Sequence, residues 1–348
     1  MDTNLLKEWF ENQKRDLPWR RSPSPYAVWI SEVMLQQTQV SVVIPYFQRW
    51  MERFPTIKSL ASASLDEVIK MWEGLGYYSR ARYLHEGAQF ICTHYDGELP
   101  SDEQKLKKIK GLGPYTIGAI LSFAFHQKKA AVDGNVIRVL TRFFGIKEDI
   151  SKPSTIKLLQ KKAEEILPEN ESWLVNEGLI ELGATVCQKK ASCSKCPLRK
   201  NCYSYINNEV SSLPIKSKRI QTEYLYRAVI VIKHEDHFLI KRGRKGEIMH
   251  DLHEFPFIET SVESLTDDQI LEFVKKVYGL NVKQITELSD VSHSFTRFQV
   301  RLDPFLIICQ KRLSVENMEW MSLKSLKKLA FSSGHRRIFQ QVQDISDD

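Results

Sequence analysis

The sequence of 348 residues lacks the features of membrane and exported proteins. It has no run of about eighteen apolar residues, which a membrane-spanning helix needs. It opens with Met-Asp-Thr-Asn-Leu, without the basic start and apolar core of a secretory signal. Internal repeats and low-complexity tracts are also missing, and 42% hydrophobic content argues against disorder. These absences predict a cytoplasmic protein with a substantial core, and the length favours two domains.

The chain has only a modest excess of positive charge. The chain has 50 lysines and arginines against 43 acidic residues, a formal net charge of +7. This surplus is compatible with an anionic partner, although many enzymes are as basic without binding nucleic acid. Charge therefore supports a nucleic-acid partner only weakly.

Cysteine is scarce, but four of the six cysteines fall within residues 187–202, separated by five, two and five residues. Disulfides suit small secreted domains, so four thiols this close in a long chain without an export signal predict a metal centre. Zinc sites favour two compact Cys-x2-Cys pairs, whereas one short spacing between two long ones suits a larger [4Fe-4S] cluster. Zinc stays open here, and we favour the cluster. The candidate ligands are Cys187, Cys193, Cys196 and Cys202.

A glycine-rich turn at residues 110–116, Lys-Gly-Leu-Gly-Pro-Tyr-Thr, is the most informative stretch of the chain. Two glycines let the backbone approach a partner closely, and Pro114 suits the first turn of the next helix. The pattern predicts a helix-hairpin-helix over about residues 102–126, whose backbone N–H groups hold a phosphate without reading a base. A plain helix connector is the alternative. The candidate DNA-binding residues of the turn are Lys110, Gly111, Gly113 and Thr116.

Two carboxylates lie on either side of this turn in the sequence. Residues 26–40 follow Pro25 with helical spacing that continues past residue 40, and Glu32 lies among their apolar side chains. A desolvated carboxyl has a raised pKa and can hold a proton at neutral pH, as a general acid must. An exposed helical glutamate is the alternative. Asp133 follows the turn at a distance that one helix would span.

The composition changes near residue 213. Before it, helical spacing predominates, which predicts a helical domain over residues 1–213. Polar and basic residues 214–224 are predicted to form a linker, and residues 225–348 a mixed α/β domain. The predicted strands of this domain lie at residues 226–232, 237–241, 295–300 and 305–308, with a helix at 267–277.

Taken in order, the motifs resemble those of MutY-type adenine DNA glycosylases of the helix-hairpin-helix/endonuclease III superfamily. The resemblance covers nearly the whole chain, and the C-terminal domain resembles the Nudix-like lesion-recognition module of that family. It implies a monomer with a [4Fe-4S] cluster that removes adenine opposite 8-oxoguanine or guanine from double-stranded DNA. The matching motifs are residues 17–20 (LPWR), 31–40 (SEVMLQQTQV), 74–82 (GLGYYSRAR), the hairpin, 132–136 (VDGNV) and the cysteines.

The resemblance implies a role for each matching residue. Glu32 would protonate N7 of a flipped adenine, and Asp133 would stabilise positive charge developing on the sugar. Tyr115 and Asn135 would orient this site. The other implied contacts are an adenine pocket of Arg15, Trp19, Arg20, Leu35 and Glu177, duplex contacts from Gln37, Thr38 and Tyr77, and lesion recognition by Phe295, Thr296 and Arg297.

The chain departs from the family pattern in several places. Five residues rather than the usual six separate Cys187 from Cys193, which requires a tighter loop. Residues 295–297 read Phe-Thr-Arg where the family has Phe-Ser-His or Phe-Thr-His, and arginine can donate to a phosphate or a base edge. Residues 252–256 carry histidine where tryptophan is common. The Nudix hydrolase signature is missing, so we expect the C-terminal domain to bind rather than hydrolyse.

Other functions remain open on these residues. Endonuclease III-like enzymes act on oxidised pyrimidines and carry a nucleophilic lysine where this chain has Tyr115. A Schiff base requires an amine, so thymine-mismatch glycosylases, which have a similar tyrosine, are the nearer alternative. A non-enzymatic iron–sulfur DNA-binding protein would use Glu32 and Asp133 only structurally. A nucleotide hydrolase in the C-terminal half is disfavoured by the missing signature.

Overall fold

The computed structural model describes residues 1–217, 222–247, 249–260, 265–295 and 297–347. The chain forms two compact units, one of Met1–Ala63 with Arg82–Arg219 and the other of Ser64–Ala81 with Ile220–Asp348. The first unit is helical and the second carries a mixed α/β fold, as predicted. No helix in the described part of the chain is long and apolar enough to cross a membrane.

Helices account for nearly all regular structure in the first unit. A π-helical turn, Ile120–Ala124, follows α9, and short 3-10 turns lie at Cys193–Lys195 and Arg199–Asn201. The helices of the described residues in both units are α1 (Thr3–Gln13), α2 (Pro18–Arg21), α3 (Pro25–Leu35), α4 (Val40–Arg53), α5 (Ile57–Ser62), α6 (Leu65–Trp72), α7 (Ser79–His94), α8 (Glu103–Leu106), α9 (Pro114–Ala119), α10 (Gly134–Phe144), α11 (Pro153–Ile166), α12 (Ser172–Thr185), α13 (Tyr203–Ile206), α14 (Asp267–Tyr278), α15 (Leu323–Leu326) and α16 (Ser333–Asp347). Of these, α6, α14, α15 and α16 lie in the second unit.

Packing of α10 against α12 fixes the part of the first unit that carries the candidate site. Val139 and Leu140 of α10 join Leu179 and Leu182 of α12 in one buried core cluster. Apolar residues three and four apart place this stripe on one face of α10. The helix ends at Gly145, whose φ of +70° suits glycine. The start of α10 is thereby held at a fixed place along α12.

The second unit is built on an eight-stranded sheet within its described residues. Its main path runs β3-β2-β1-β7-β5; β1 and β7 are parallel, and the other strand pairs are antiparallel. The predicted helix at 267–277 corresponds to α14. The strands are β1 (Glu223–His234), β2 (His237–Arg242), β3 (His253–Glu254), β4 (Phe257–Thr260), β5 (Val282–Glu287), β6 (Val291–Phe295), β7 (Phe298–Cys309) and β8 (Met318–Ser322).

Two of the predicted elements were wrong in their extent. The helix expected to continue past residue 40 is interrupted after Leu35, because Gln37 adopts a positive φ of 58° and α4 begins only at Val40. The strand predicted over residues 295–300 was wrong in extent, because β6 ends at Phe295 and β7, which pairs antiparallel with β6, begins at Phe298. Phe295 and Phe298 are cross-strand partners, with ring centroids 5.5 Å apart, so they belong to two strands and not to one.

Candidate active site

A buried carboxyl–phenol pair lies at the centre of the site in the first unit. Glu32 is 7% exposed on α3, and Tyr115 lies in the first turn of α9, directly after the hairpin. The Tyr115 hydroxyl donates a hydrogen bond to Glu32 Oε2. Burial raises the pKa of Glu32 to about 7; the Tyr115 hydrogen bond opposes this rise and the Asp133 charge adds to it. Glu32 therefore holds a proton near neutral pH.

Asp133 is held by the start of α10. As the N-cap residue, it accepts the Val136 backbone N–H through Oδ1 at 2.8 Å. Its Oδ2 accepts Asn135 Nδ2 at 2.7 Å. Burial raises the pKa of Asp133, and both hydrogen bonds oppose that rise. These donors orient the Asp133 carboxylate at the wall of the cavity.

A network of two arginines and two glutamates forms one wall of the site. Arg20 Nε donates to Glu177 Oε2 at 2.8 Å, and Arg20 Nη2 donates to Glu181 Oε2 at 3.0 Å. Arg15 Nε donates to Glu181 Oε1 at 2.6 Å. Burial raises the pKa of Glu181, but the two arginines outweigh it, so the net shift is downward. Glu181 is therefore ionised, whereas burial favours the neutral form of Glu32.

Glu181 was missed by the sequence reasoning, although its side chain is fully buried in this network. The available signal was its spacing, because Glu181 is four residues after Glu177 and so lies on the same face of α12. The partners of this residue, Arg15 and Arg20, are more than 160 residues away in the sequence. That separation hides the ion pairs from local patterns.

One cavity of about 670 Å³ in the first unit connects these groups. A stacked pair at its wall, His126 and Trp173, has ring centroids 4.1 Å apart and was not predicted. The cavity is large enough for a nucleobase. The predicted residues that line it are Arg15, Trp19, Arg20, Glu32, Leu35, Gln37, Thr38, Tyr115, Asp133, Asn135 and Glu177; Phe10, Lys14, Phe123 and Leu174 line it as well and were not predicted.

The candidate residues of the hairpin turn divide between surface and interior. Lys110 is exposed, pairs with Glu86 at 2.7 Å and lies over the Tyr83 ring. Gly111 has a φ of +88°, and a Cβ there would lie 2.5 Å from Tyr83 Cβ, so a side chain is excluded. Gly113 is the N-cap of α9 and has open space beside it, as a phosphate-binding turn requires. The remaining candidate, Thr116, is 1% exposed and its hydroxyl accepts from Gln36 Nε2 at 3.4 Å.

The candidate lesion contacts lie in the second unit. Tyr77 is 46% exposed and has a φ of +48°. Phe295 ends β6, and Arg297 pairs with Glu223 at 3.0 Å while its guanidinium lies over the Phe298 ring. Thr296 lies outside the described residues.

The four clustered cysteines line one small cavity in the first unit, and all four are free thiols. Arg142 Nη1 lies 3.4 Å from Cys187 Sγ. Arg138 Nε donates to the Cys187 carbonyl at 2.7 Å, and its Nη2 donates to Asn135 Oδ1 at 2.7 Å. In the part of the chain that is described, no three His, Cys, Asp or Glu side chains are already grouped around a single-ion site. The cysteine loop is nevertheless joined to the Asp133 site through two hydrogen bonds.

Comparison with known proteins identifies the family. The HhH-GPD superfamily of base excision DNA repair proteins matches residues 30–165, and the NUDIX domain matches residues 227–341. An adenine DNA glycosylase of Buchnera aphidicola subsp. Acyrthosiphon pisum (strain APS) is 35% identical over 307 residues, 88% of this chain and 86% of that protein. The chain belongs to the adenine DNA glycosylase family. It is an enzyme of the class that hydrolyses N-glycosidic bonds in DNA.

Other relatives agree with this assignment. The human adenine DNA glycosylase is 45% identical over 207 residues, 57% of this chain and 38% of that protein. Among solved structures, a thermostable thymine-DNA glycosylase matches with a TM-score of 0.53 and 27% identity, covering 59% of this chain and 95% of that one. A trapped endonuclease III–DNA covalent intermediate matches with a TM-score of 0.52 and 24% identity, which shows the fold alone. The helical glycosylase fold is thereby confirmed.

Proposed function

We propose that this enzyme removes adenine opposite 8-oxoguanine or guanine in double-stranded DNA, without cutting the strand. The observation that carries the proposal is the buried Glu32 carboxyl, with a pKa raised to about 7, in the same cavity as the Asp133 carboxylate. Two carboxyl groups in different protonation states supply an acid for the leaving base and a charge for the sugar. Relatives that cover nearly the whole chain are named adenine DNA glycosylases.

Adenine has to leave the base stack before it can reach the cavity. Flipping costs about a few kcal/mol, which contacts in the pocket offset. We assign Trp19 and Leu35 to the apolar walls of the pocket, and Arg20 with Glu177 to its polar edge. Gln37, at a positive φ between α3 and α4, would enter the gap left in the duplex, beside Thr38.

Protonation and charge stabilisation then divide between the two carboxyl groups. Glu32 donates its proton to adenine N7, which makes the base a better leaving group, and the Tyr115 hydroxyl holds the carboxyl in place. As the N-glycosidic bond breaks, Asp133 stabilises the positive charge on the sugar until water adds to the sugar carbon, releases a proton and leaves an abasic site. Asn135 and the Val136 N–H fix the direction of the Asp133 carboxylate. Tyr115 provides no amine, so the chain lacks the nucleophile of a strand-cutting lyase at that position.

The division of labour along the chain follows the predicted domains. Residues 1–213 would carry adenine excision, residues 214–224 would link, and residues 225–348, together with Tyr77 from residues 64–81, would read the base opposite adenine through binding alone. Lys110, Gly111 and Gly113 would hold the DNA backbone at the hairpin. The enzyme would act as a monomer, because each proposed role is filled within one chain.

We propose that the four cysteines would hold a [4Fe-4S] cluster. Four free thiols line one cavity, and Arg142 approaches Cys187 Sγ, where it would balance the charge of a thiolate-bound cluster. The cluster would supply thiolate–iron bonds that hold the basic loop, whose Lys189, Lys190 and Arg199 would meet phosphates. Arg138 would pass any displacement of that loop to Asn135.

Replacement of Cys196 by alanine is expected to remove the bound metal and lower the melting temperature, because one of four ligands is lost. Iron and acid-labile sulfide, measured on purified protein, report the loss. Cys92→Ala is the matched control, since Cys92 lies on α7 outside the cysteine cavity and its variant should keep the iron. Stoichiometric zinc in the wild type, or full iron in the Cys196 variant, would contradict the assignment.

The rate of excision is expected to fall as the pH rises through about 7. Glu32 has a raised pKa, so its acidic form is complete below that value and is lost above it, about tenfold per pH unit. Asp133 must be ionised, and its raised pKa predicts a second decline on the acidic side. Single-turnover rates at saturating enzyme measure both limbs. A rate that stays level well into the alkaline range would rule out Glu32 as proton donor.

A panel of duplexes tests the substrate. Adenine opposite 8-oxoguanine, adenine opposite guanine and thymine opposite guanine would be incubated with the enzyme, with and without alkali. We expect excision from the adenine duplexes and strand breaks only after alkali. The similarity to a thymine-DNA glycosylase makes thymine the second candidate, although that protein covers only 59% of this chain. Excision confined to thymine would overturn the proposal.

A further inference from the structure

The turn that presents Tyr77 is anchored to the C-terminal part of the second unit. Residues 64–81, which comprise α6 and this turn, cluster with residues 220–348 rather than with their sequence neighbours. The helix ends at Trp72, and Glu73 is its C-cap. Glu73 is therefore the link between the helix and the turn.

The Glu73 carboxylate joins three groups at the start of α16 and on α6. Its Oε1 accepts the Phe331 backbone N–H at 2.9 Å and Arg336 Nε at 2.6 Å. Its Oε2 accepts Lys70 Nζ at 2.6 Å. Arg336 and Lys70 also donate to the Leu329 carbonyl, at 2.6 and 2.8 Å. With its side chain 14% exposed, Glu73 is mostly shielded from water, where charge-assisted hydrogen bonds are strong.

The turn beyond Glu73 is internally braced. Trp72 Nε1 donates to the Gly76 carbonyl at 3.0 Å, and Arg80 Nη2 donates to the same carbonyl at 3.1 Å. The Arg80 guanidinium lies over the rings of both Trp72 and Tyr77. Gly74 has a φ of +101°, a conformation that suits glycine. A braced turn moves as one piece, so its anchor decides where the exposed Tyr77 ring lies.

We propose that Glu73 is a positioning residue for recognition of the base opposite adenine, acting through Tyr77. This inference rests on the proposed function, in which Tyr77 stacks beside 8-oxoguanine. Glu73 is not among the residues lining the cavity of Glu32 and Asp133, so it leaves the chemical step alone. Loss of its charge would remove the tie between the turn and Arg336 and loosen the position of Tyr77, which would reduce the difference in excision rate between adenine opposite 8-oxoguanine and adenine opposite guanine.

The test compares single-turnover excision of adenine opposite 8-oxoguanine with excision opposite guanine. Glu73→Gln keeps an acceptor for Phe331 but loses the charge that binds Arg336, and we expect the ratio of the two rates to fall about fivefold to tenfold. Arg336→Gln should give the same fall, and the double variant should fall no further, because both changes remove one interaction. Asp66→Asn is the matched control, since its ion pair with Arg242, also involving α6, is about half exposed.

The outcomes separate this inference from the function on which it rests. Failure to excise adenine from either duplex would overturn both. Equal wild-type rates on the two duplexes would overturn the positioning role and leave the proposed adenine excision in place. A wild-type preference that Glu73→Gln leaves unchanged overturns the positioning role alone. An equal loss on both duplexes, with a lower melting temperature, would show a merely structural contact and also overturn it. Additive effects in the double variant would show that Glu73 and Arg336 act separately.

Discussion

Replacement of Glu32 by glutamine is expected to lower adenine excision about a thousandfold to ten-thousandfold, the upper range for loss of a general acid. Glutamine has the size of glutamate and can still accept the Tyr115 hydroxyl, but it has no proton to give to the leaving base. Duplex binding should persist, because Glu32 is buried in the cavity and contributes no positive charge to the DNA surface. Single-turnover excision and equilibrium binding, measured on the same preparation, check both parts.

The same variant should be more stable than the wild type at alkaline pH. Glu32 titrates at about 7 in the folded chain against an ordinary value of 4.5, so its contribution to stability is lost as pH rises through 7. Glutamine does not ionise, so the free energy of unfolding of the variant should exceed that of the wild type by about 3 kcal/mol at pH 8. Melting temperatures at acidic and alkaline pH report it. Glu164→Gln, an exposed glutamate outside the cavity, is the control and should change neither rate nor stability.

If the Glu32→Gln variant were inactive but no more stable than the wild type at alkaline pH, Glu32 would still be needed for catalysis. Burial would then not be the cause of its raised pKa. A fully active variant would return Glu32 to a structural role and favour a non-enzymatic DNA-binding protein.

Local patterns predicted those parts of the site that depend on one stretch of chain. The hairpin turn follows from its glycines and Pro114, and the desolvated Glu32 follows from the apolar residues around it in α3. The helical and mixed α/β units follow from periodicity. Each of these inferences needed only neighbours in sequence, and the structure confirmed the helical unit and the mixed α/β unit, although two predicted elements were wrong in extent.

Features that depend on distant elements escaped prediction. The ionised state of Glu181 requires Arg15 and Arg20, which α12 meets only in the folded chain. The stacked His126 and Trp173 likewise come from separate helices. A periodic pattern records which face of an element is buried, but not which element covers it.

The association of residues 64–81 with the C-terminal unit also depends on contacts between distant parts of the chain, so it could not be predicted from local sequence. Nothing in the sequence of α6 identifies its ion-pair partner, since Glu73 and Arg336 are 263 positions apart. Ion pairs on a protein surface usually contribute little to stability. The Glu73–Arg336 pair is mostly buried, so loss of one partner should have a larger effect. Tertiary structure was required to see that the turn carrying Tyr77 is held from the other end of the chain.

Replacement of Asp133 by asparagine is expected to lower excision about a hundredfold to a thousandfold, the usual loss when one preorganised electrostatic contact to a transition state is removed. Asparagine caps a helix nearly as well as aspartate, so α10 should begin at the same place and the side-chain oxygen at position 133 should accept the Val136 N–H as before. The new amide NH2 would face the NH2 of Asn135, whose oxygen already accepts from Arg138, so the variant should lose about 1–3 kcal/mol of stability while α10 stays capped.

Measurements of DNA affinity distinguish loss of the Asp133 charge from loss of the helix cap that Asp133 provides to α10. Removal of a negative charge near DNA should leave affinity unchanged or increase it, whereas disruption of α10 would decrease it. Asp2→Asn is the matched control, because Asp2 caps α1 in the same way outside the cavity, and its excision rate should equal that of the wild type. If Asp133→Asn kept more than a tenth of the wild-type rate with normal binding, the sugar cation would have to be stabilised by another group. Glu177, in the same cavity, would then be the next residue to replace.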